Sequence, residues 1–546
     1  MAAACGPVDE ELIRTAIDKS NLNALRLALF QVTEDPELAN MSTSRYSIRG
    51  GAMFAHVVAD GDIPALKEKA FAYLSKHKPD DDVSPPPSKD ETRKLMDMFG
   101  DTPVSNEEFD FNYEELAVDE FPREAQWTEK RPSAEKINAF KIVCIGGGIS
   151  GVAAAVQFKR LGLNFTVLER QSDIGGTWLL NSYPDARVDV GSYLYQFKFV
   201  KNYPWSEYFA AAGETLRYLH EVVKRYRVEG HFHFNREVLS ATWQEDSSEW
   251  ELTIEHADGH TEVMRCNAIV NGSGLYSTPR LPKIKGVDNF KRPMFHSARW
   301  DHSVDYRNKR VALLGTGSTG TQLAPAVAAE AKSLTVFQRT ANWITGIEGY
   351  GKPIDTHVRW LFDNMPYYWN WFCYSNHLTF TQVQYSQSYD REWQAKGGQI
   401  SESNDKMRGL LIDFIKSKMQ DRPDLVEKLM PHYSPMVRRL IVDNGFYDML
   451  LRDHVELVTD GIESITETGI KTVDGQEREF DLIVLSTGWS VQEWFAPCKY
   501  VGRNGATLGV LWKKDGARSY LGLTLPGFPN FFSFYGPNHQ PRSGGF

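Results

Sequence analysis

The 546-residue chain has few cysteines, no long apolar run and no excess of positive charge. Its five cysteines are Cys5, Cys144, Cys266, Cys373 and Cys498, scattered without a CxxC or any metal-ligand spacing. That pattern offers no disulfide framework, redox dithiol or zinc site, and predicts a reducing, cytoplasmic setting. No segment reaches the ~18 consecutive apolar residues of a spanning helix, so no stable membrane insertion is expected. Mean hydropathy of −0.42 agrees. The opening MAAACGPVDEE lacks a basic region followed by an apolar core, so no signal peptide is read there. A net charge of −10 argues against nucleic acid as a partner.

What the first 135 residues do contain is helical periodicity. Leu22, Leu25 and Leu29 recur at helical spacing, with Pro36 shortly after. Asp62 is a candidate N-cap for a second helix, with Pro64 in its first turn and Leu66, Ala70 and Leu74 on one face. The run DDDVSPPPSKDE reads as a stiff, exposed linker, and Ser88 with Glu91 as a capping box. From Gly100 to Pro132 the sequence reads as acidic and irregular. No residue set in this region suggests chemistry, and it is expected to serve packing or dimerisation.

Glycine carries the strongest signal. KIVCIGGGISGVAAAVQFKRLGLNFTVLER, from Lys141, predicts a strand, a tight turn, an alanine-rich helix and a second strand. In that turn Gly146 permits the bend, Gly148 lets a pyrophosphate approach the backbone and Gly151 lets helix pack on strand. The helix N-terminus offers free N–H groups to phosphate, and Glu169 ends the second strand where an acid can take ribose hydroxyls. A second copy starts at Arg310, with the turn Gly315-Thr316-Gly317-Ser318-Thr319-Gly320-Thr321. Its second strand ends in Gln338-Arg339-Thr340, with no carboxylate; Arg339 suits a 2′-phosphate and so favours NADPH over NADH. Two such sites predict FAD paired with NADPH and hydride transfer between them. NAIVNGSGLYSTPRLP and DLIVLSTGWS are apolar strands running into small-residue turns, expected where the chain crosses between the two domains.

The fold class is therefore α/β, with two Rossmann-like domains. A helical extension is expected over residues 1–135. The FAD-binding domain is expected at 136–275 and 485–546, the NADPH-binding domain at 276–344 and 437–484, and a helical insertion at 345–436.

Among flavoproteins of this layout, FKRPMFHSARWD is informative. Phe290, His296, Trp300 and Asp301 fall in register with the FxGxxxHxxxW(P/D) signature of Baeyer–Villiger monooxygenases, with Arg292 in place of its glycine. GGTWLLNSYPDARVDV resembles the same family's GGxWxxxxYPGxxxD segment through Gly175, Gly176, Trp178, Tyr183, Pro184 and Asp189, with Asp185 replacing a glycine. Tyr193, Tyr195 and the WSEYF run from Trp205 also look like the family, as does PHYSPMVRRLIVDNGFYDML. The resemblance covers about residues 136–540 and, given the N-terminal extension, looks closest to the 4-hydroxyacetophenone monooxygenase-like members.

The resemblance implies an enzyme that uses NADPH and O2 to convert a ketone into an ester or lactone through a flavin C4a-peroxide. It implies Arg439 as catalytic cation, Asp189 as its carboxylate partner and Arg438 near the NADPH phosphate. It adds Gly176, Thr177, Trp178, Arg187, Val188, Val190, Tyr195 and Val238 to the cofactor-binding residues, and gives no resident metal. A fixed guanidinium suits the task because it does not deprotonate and can stabilise oxyanions. His296 and Trp300 are expected on an irregular connector acting as a hinge, the first by hydrogen bonding and the second by burial. A non-glycine at 292 is expected to cost energy if that position needs a positive φ. The family's Gly-Pro turn leads into a helix facing the flavin. Here Gly536 and Pro537 are followed by an end at Phe546, so the chain is expected either to be a shortened form or to hold FAD loosely and leak hydrogen peroxide.

The aromatic run WLFDNMPYYWNWFCY, from Trp360, suits either the wall of a pocket for an aryl ketone or the packing of an inserted lid. A polyketide-type secondary metabolite is the other candidate substrate, and the helical N-terminus hints at a homodimer. Two other readings stay open: a heteroatom-oxidising flavin monooxygenase, disfavoured by Trp300 and Asp301, and a catalytically impaired flavin-binding protein.

Overall fold

Each glycine turn sits at the centre of its own parallel sheet. The computed structural model describes residues 9–48, 51–76, 85–100, 102–121, 127 and 130–539. Cys5, the first five residues of the expected linker and the tail after His539 lie outside them.

The first sheet runs Phe531–Ser533, Ala268–Asn271, Lys141–Ile145, Asn164–Leu168 and Phe232–His233, all parallel. The second runs Met294–His296, Leu482–Leu485, Arg310–Leu314, Ser333–Phe337 and Val455–Val458, again all parallel. In both, the strand leading into the glycine turn is third of five, with the second strand of its repeat on one side and a crossing strand on the other. These are near-continuous apolar strands, as expected for sheets buried on both faces. An antiparallel meander, Arg236–Gln244, Glu249–His256 and Thr261–Cys266, flanks the first sheet, and a smaller three-stranded one flanks the second.

The two turns share their backbone geometry at the first and third glycines. Gly146 has φ +106° and Gly315 φ +107°, the left-handed region open to glycine. A Cβ at Gly151 would lie 2.0 Å from the Gly146 carbonyl oxygen, and one at Gly320 would lie 2.1 Å from that of Gly315. The crossing strands close over the turns, since a Cβ at Gly146 would meet the Gly272 oxygen at 2.6 Å and one at Gly315 the Ser486 oxygen at 2.3 Å.

The crossing segments also bind each other. Pro279 bridges Trp489, Arg280 N donates to the Gly488 carbonyl and Ser490 N donates to Thr278. His296 adds Nε2 to the same Gly488 carbonyl at 3.1 Å, while its Nδ1 accepts from Ala298 N at 3.1 Å. Burial lowers the His296 pKa, in keeping with the neutral tautomer these bonds require. Trp300 is buried between Phe295 and Tyr306. The stretch around His296 differs from the irregular connector expected: Met294–His296 is an edge strand and Ser297–Arg299 a 3-10 turn. Arg292 takes no left-handed φ. It donates to the Phe480 carbonyl and pairs with Asp481, which also holds Arg310.

Among its described residues the N-terminal region carries helices and one hairpin, Thr43–Ile48 with Met53–Val58, which the sequence reading lacks. Its helix Asn106–Leu116 falls where irregular chain is expected. The missed signal is Ser105, whose hydroxyl accepts from Glu108 N. The Ser88–Glu91 capping box forms. Asp62 stands at the N-cap position but makes no cap bond; its carboxylate accepts from Ser42 N. Leu66, Ala70 and Leu74 are buried.

This region is not a loose appendage. Its helix Leu22–Thr33 packs on insertion helix Tyr368–Thr381. Phe99 stacks on Trp371, Tyr368 accepts from Asn21 N, and Trp371 Nε1 donates to Gln31. The aromatic run is thus mostly core: Tyr368, Trp369, Trp371 and Tyr374 are buried. One buried ionic cluster ties three parts of the chain. Lys198 pairs with Glu115 at 2.9 Å, and His377 places Nδ1 3.7 Å from the same carboxylate and Nε2 against Asn112. No helix among the described residues is long and apolar enough to cross a membrane.

Gly151→Ala is expected to destabilise the protein by ~1–3 kcal/mol or to block folding, since its methyl group meets rigid backbone; urea titration checks this. A second expectation concerns pH. Burial lowers the pKa of His377 from 6.5 to about 4, outweighing the Glu115 carboxylate that raises it. The neutral ring is favoured in the fold, so its contribution is complete above pH 6.5 and is lost as pH falls towards 4. His377→Gln should flatten the stability profile over that window, measured as thermal midpoints from pH 7 down to pH 4.

Candidate active site

The first glycine turn opens into a cavity of ≈ 2200 Å³. That is about twice the ~1,000 Å³ upper range for drug-sized ligand sites. Gly146, Gly148, Glu169, Gly176, Thr177, Trp178, Val188, Asp189, Val190, Tyr195, Val238 and Arg439 all line it, so the structure brings these expected residues together. Gly151 does not line it and serves packing.

Two motifs separated in sequence meet here. Gly175 N donates to the Gly147 carbonyl, and a Cβ at Gly176 would lie 3.0 Å from the Gly148 Cα. Gly175 and Gly176 have φ +123° and +52°, which explains glycine at both positions. Trp178 then donates Nε1 to the Tyr195 hydroxyl at 3.0 Å. Burial pushes the Tyr195 phenol up to about 12, so it stays protonated. Glu169 is buried, one oxygen accepting from Gly147 N at 2.6 Å and the other from Gln171 N at 2.8 Å.

Arg439 and Asp189 are 250 residues apart and form an ion pair, Nη2 to Oδ1 at 2.7 Å. Arg439 lies on a loop before strand Ile441–Val442 and is 60% exposed, leaving its charge available to a ligand in the cavity it lines. Three residues earlier, Met436 has φ +67°, a strained conformation for its side-chain type.

Asp185, standing where the resembling segment has glycine, has φ +63°, the backbone conformation a glycine would supply. Its carboxylate accepts from Arg187 and from Asn444 Nδ2 (3.2 Å), tying this turn to the segment that follows Arg439. Asn444 also donates to the Gln322 carbonyl, and the buried Gln322 side chain bonds Tyr183, Tyr350 and the Arg187 carbonyl. Arg187, expected to bind a cofactor, does not line the large cavity. Its guanidinium is held by Asp185 and Glu207 and borders a neighbouring polar pocket rather than the large cavity.

The second glycine turn does not line the large cavity. Gly317 and Ser318 are exposed, Thr319 and Thr340 half-buried, and Thr316 and Thr321 buried in turn-holding hydrogen bonds. Arg339 is exposed, and Arg438 lies over the Tyr433 ring at 5.0 Å. Phe290 packs at the base of the second sheet, and Asp301 caps its own turn through Ser303.

Both turns fit a dinucleotide on steric grounds. The first and third glycines are demanded by protein backbone, but the second is not. A Cβ at Gly317 would meet nothing within 4 Å, and one at Gly148 would meet the Gly176 Cα at an ordinary 3.6 Å. Helices Ile149–Leu161 and Ser318–Glu330 begin at these positions without a side-chain cap, leaving N–H groups for phosphate.

Sequence reasoning gave the cavity no N-terminal residue, yet Lys19, Ile48 and Met53 line it. From the aromatic run only Phe372 does so, and insertion residues such as Phe380, Met407 and Leu411 complete the wall. No local motif marks them; they converge only through packing.

Residues 139–369 match the flavin-binding monooxygenase-like family. An uncharacterized monooxygenase, y4iD, of Sinorhizobium fredii is 32% identical over 73% of this chain, which spans 60% of that relative's length. A Baeyer–Villiger monooxygenase of Pseudomonas aeruginosa is 32% identical over 76% of this chain and 75% of its own length. The crystal structure of OTEMO in complex with FAD and NADP superimposes with a TM-score of 0.62 at 30% identity, over 73% of this chain and 81% of that one. Similarity on this scale, to a named relative of which three quarters is spanned, means that the chain belongs to the family of flavin-binding Baeyer–Villiger monooxygenases.

Proposed function

We propose that this chain is an FAD-dependent monooxygenase. It uses NADPH and O2 to insert one oxygen atom beside a ketone carbonyl, giving an ester or lactone, water and NADP⁺. The Arg439–Asp189 pair, on the wall of the cavity that the first glycine turn opens into, carries the reading.

The Gly146–Gly151 turn and the N-terminus of helix Ile149–Leu161 would hold the FAD pyrophosphate, with Glu169 at the ribose. Gly176, Thr177, Trp178, Val188, Asp189, Val190, Tyr195 and Val238 would enclose the rest. The Gly315–Thr321 turn, Arg339, Thr340 and Arg438 would hold NADPH. Bound FAD, reduced by NADPH, supplies the activation of oxygen.

Arg439 keeps its proton at any working pH and stabilises negative charge developing on oxygen during transfer to the ketone. Asp189 accepts from Nη2 and fixes the guanidinium plane, leaving the other N–H donors for the reacting oxygen. Trp178 orients Tyr195, whose raised pKa keeps it a donor. Neutral His296, on the Gly488 carbonyl, and buried Trp300 hold the crossing between the two sheets, where a hinge would act.

Arg439→Ala is expected to keep FAD bound and reducible by NADPH while ester formation falls at least ~100-fold. Anaerobic bleaching of the flavin, followed by product analysis in air, separates the two steps; ester formation at wild-type rate removes Arg439 from the chemistry. At the second turn, Arg339→Ala should lower the NADPH/NADH preference by roughly 10-fold, the lower end for a charge-assisted bond because the residue is exposed. Gly317→Ala should raise the KM for NADPH without changing the melting temperature, as its methyl group meets no protein atom. Unchanged NADPH kinetics in both variants would exclude this turn as the nicotinamide site.

A further inference from the structure

One part of the cavity is unused by the roles above. It is built by the N-terminal hairpin and the insertion, neither of which belongs to a glycine-turn sheet. Ile48 and Met53 are directly opposite each other across the hairpin, so their side chains share a face, and both line the cavity. They pack in the same apolar cluster as Met407, Leu411, Met436 and Leu440. Met436 and Leu440 flank Arg439 in sequence, so this cluster runs continuously from the hairpin to the proposed cation.

The hairpin is clamped in position. Gln382 spans the main chain of Phe54, its Oε1 accepting from the N–H at 2.9 Å and its Nε2 donating to the C=O at 2.8 Å. Ser403 donates to the Ala52 carbonyl at 3.0 Å. A two-stranded hairpin is marginal alone, and these bonds fix it to the insertion helices. Met53 is held by a main-chain clamp on the next residue, so its side chain is a defined wall.

The space and the apolar lining point to one ligand class. Allowing ~1,000 Å³ for a dinucleotide leaves a comparable volume in the cavity. Among the charged residues lining the cavity, Lys19 and Asp355 pair with each other at 2.6 Å, and the insertion adds Glu348 and Lys352, one of each sign. Lys19 and the backbone N–H of His357 hold the Asp355 carboxyl at about 2, so the pair stays ionised and makes no demand on a ligand's charge.

We infer that Ile48 and Met53 form the distal wall of the substrate chamber and determine specificity, and that the substrate is a bulky ketone whose far, apolar end docks on them. The inference rests on the monooxygenase reading for the reacting end of the ketone and on the hairpin alone for the distal end.

The test compares cyclohexanone with 4-phenylcyclohexanone, which share a reacting ring and differ only in distal apolar bulk. Wild-type, Met53→Trp and Ile48→Phe proteins are loaded with FAD. Steady-state turnover is measured, together with calorimetric binding of each ketone, which needs no turnover. Filling the wall should lower kcat/KM and affinity for the phenyl ketone ~10-fold or more, with cyclohexanone changing less than ~3-fold. Flavin reduction by NADPH should stay unchanged in both variants. Binding that depends on Met53 without any ester would sink the monooxygenase reading and leave the wall standing. Ester formation with equal effects on both ketones, no effect on either, or failure of the wild-type protein to bind 4-phenylcyclohexanone would overturn the wall.

Discussion

The architecture depends on backbone meeting backbone at the glycine turns. At Gly151 and Gly320 a helix comes so close to the turn before it that a single methyl group would overlap a carbonyl oxygen. That approach sets each helix directly behind its strand, with an uncapped N-terminus pointing out of the sheet. The crossing strand then lies over the turn at comparably close range, and the chain order reverses beside it. Open α/β sheets bind ligands at such reversals. Glycine stereochemistry thus sets a ligand crevice at each turn before any catalytic side chain is considered, and the large cavity opens at the first.

The same constraint explains what could be read from sequence. A turn that only glycine can make leaves a mark in a few consecutive letters, and both copies were legible, with their strands and helices. Contacts made over long separations left weaker marks. Arg439 and Asp189 were paired through resemblance to a family, because nothing within either segment announces the other. The hairpin of Thr43–Ile48 with Met53–Val58 was missed because its first strand is exposed and polar and the second is clamped to the insertion through Gln382. Helix Asn106–Leu116 was missed for a different reason: its Ser105–Glu108 cap was in plain view but was outweighed by acidic composition.

The two departures from the family pattern have different physical outcomes. At 185 the backbone still adopts φ +63°, and aspartate tolerates that region better than most residues. Its carboxylate then gains partners that glycine could not have, Arg187 and Asn444, and so braces the segment carrying Arg439. At 292 no positive φ occurs, and arginine pins the start of an edge strand to Asp481. Both charges are paired, and only Asp185 occupies the left-handed region, where its carboxylate contacts offset the backbone cost. A sequence departure is informative only once the φ and partners at that position are known.

The cavity's two ends are held by different kinds of force, and this has a consequence for how such a protein can vary. At the turn end, distances of 2.0–2.6 Å between a would-be Cβ and backbone oxygens leave no freedom of residue type. At the hairpin end, the clamp acts on the main chain of Phe54 and Ala52, while Ile48 and Met53 contribute only side-chain volume. Side chains there can change size without loosening the element that carries them. Arg439 lies between, on a loop tied to the rigid end by Asp189 and continuous with the adaptable end through Met436 and Leu440. A reacting group fixed against one wall while the opposite wall is free to vary lets ligand selection change without moving the cation.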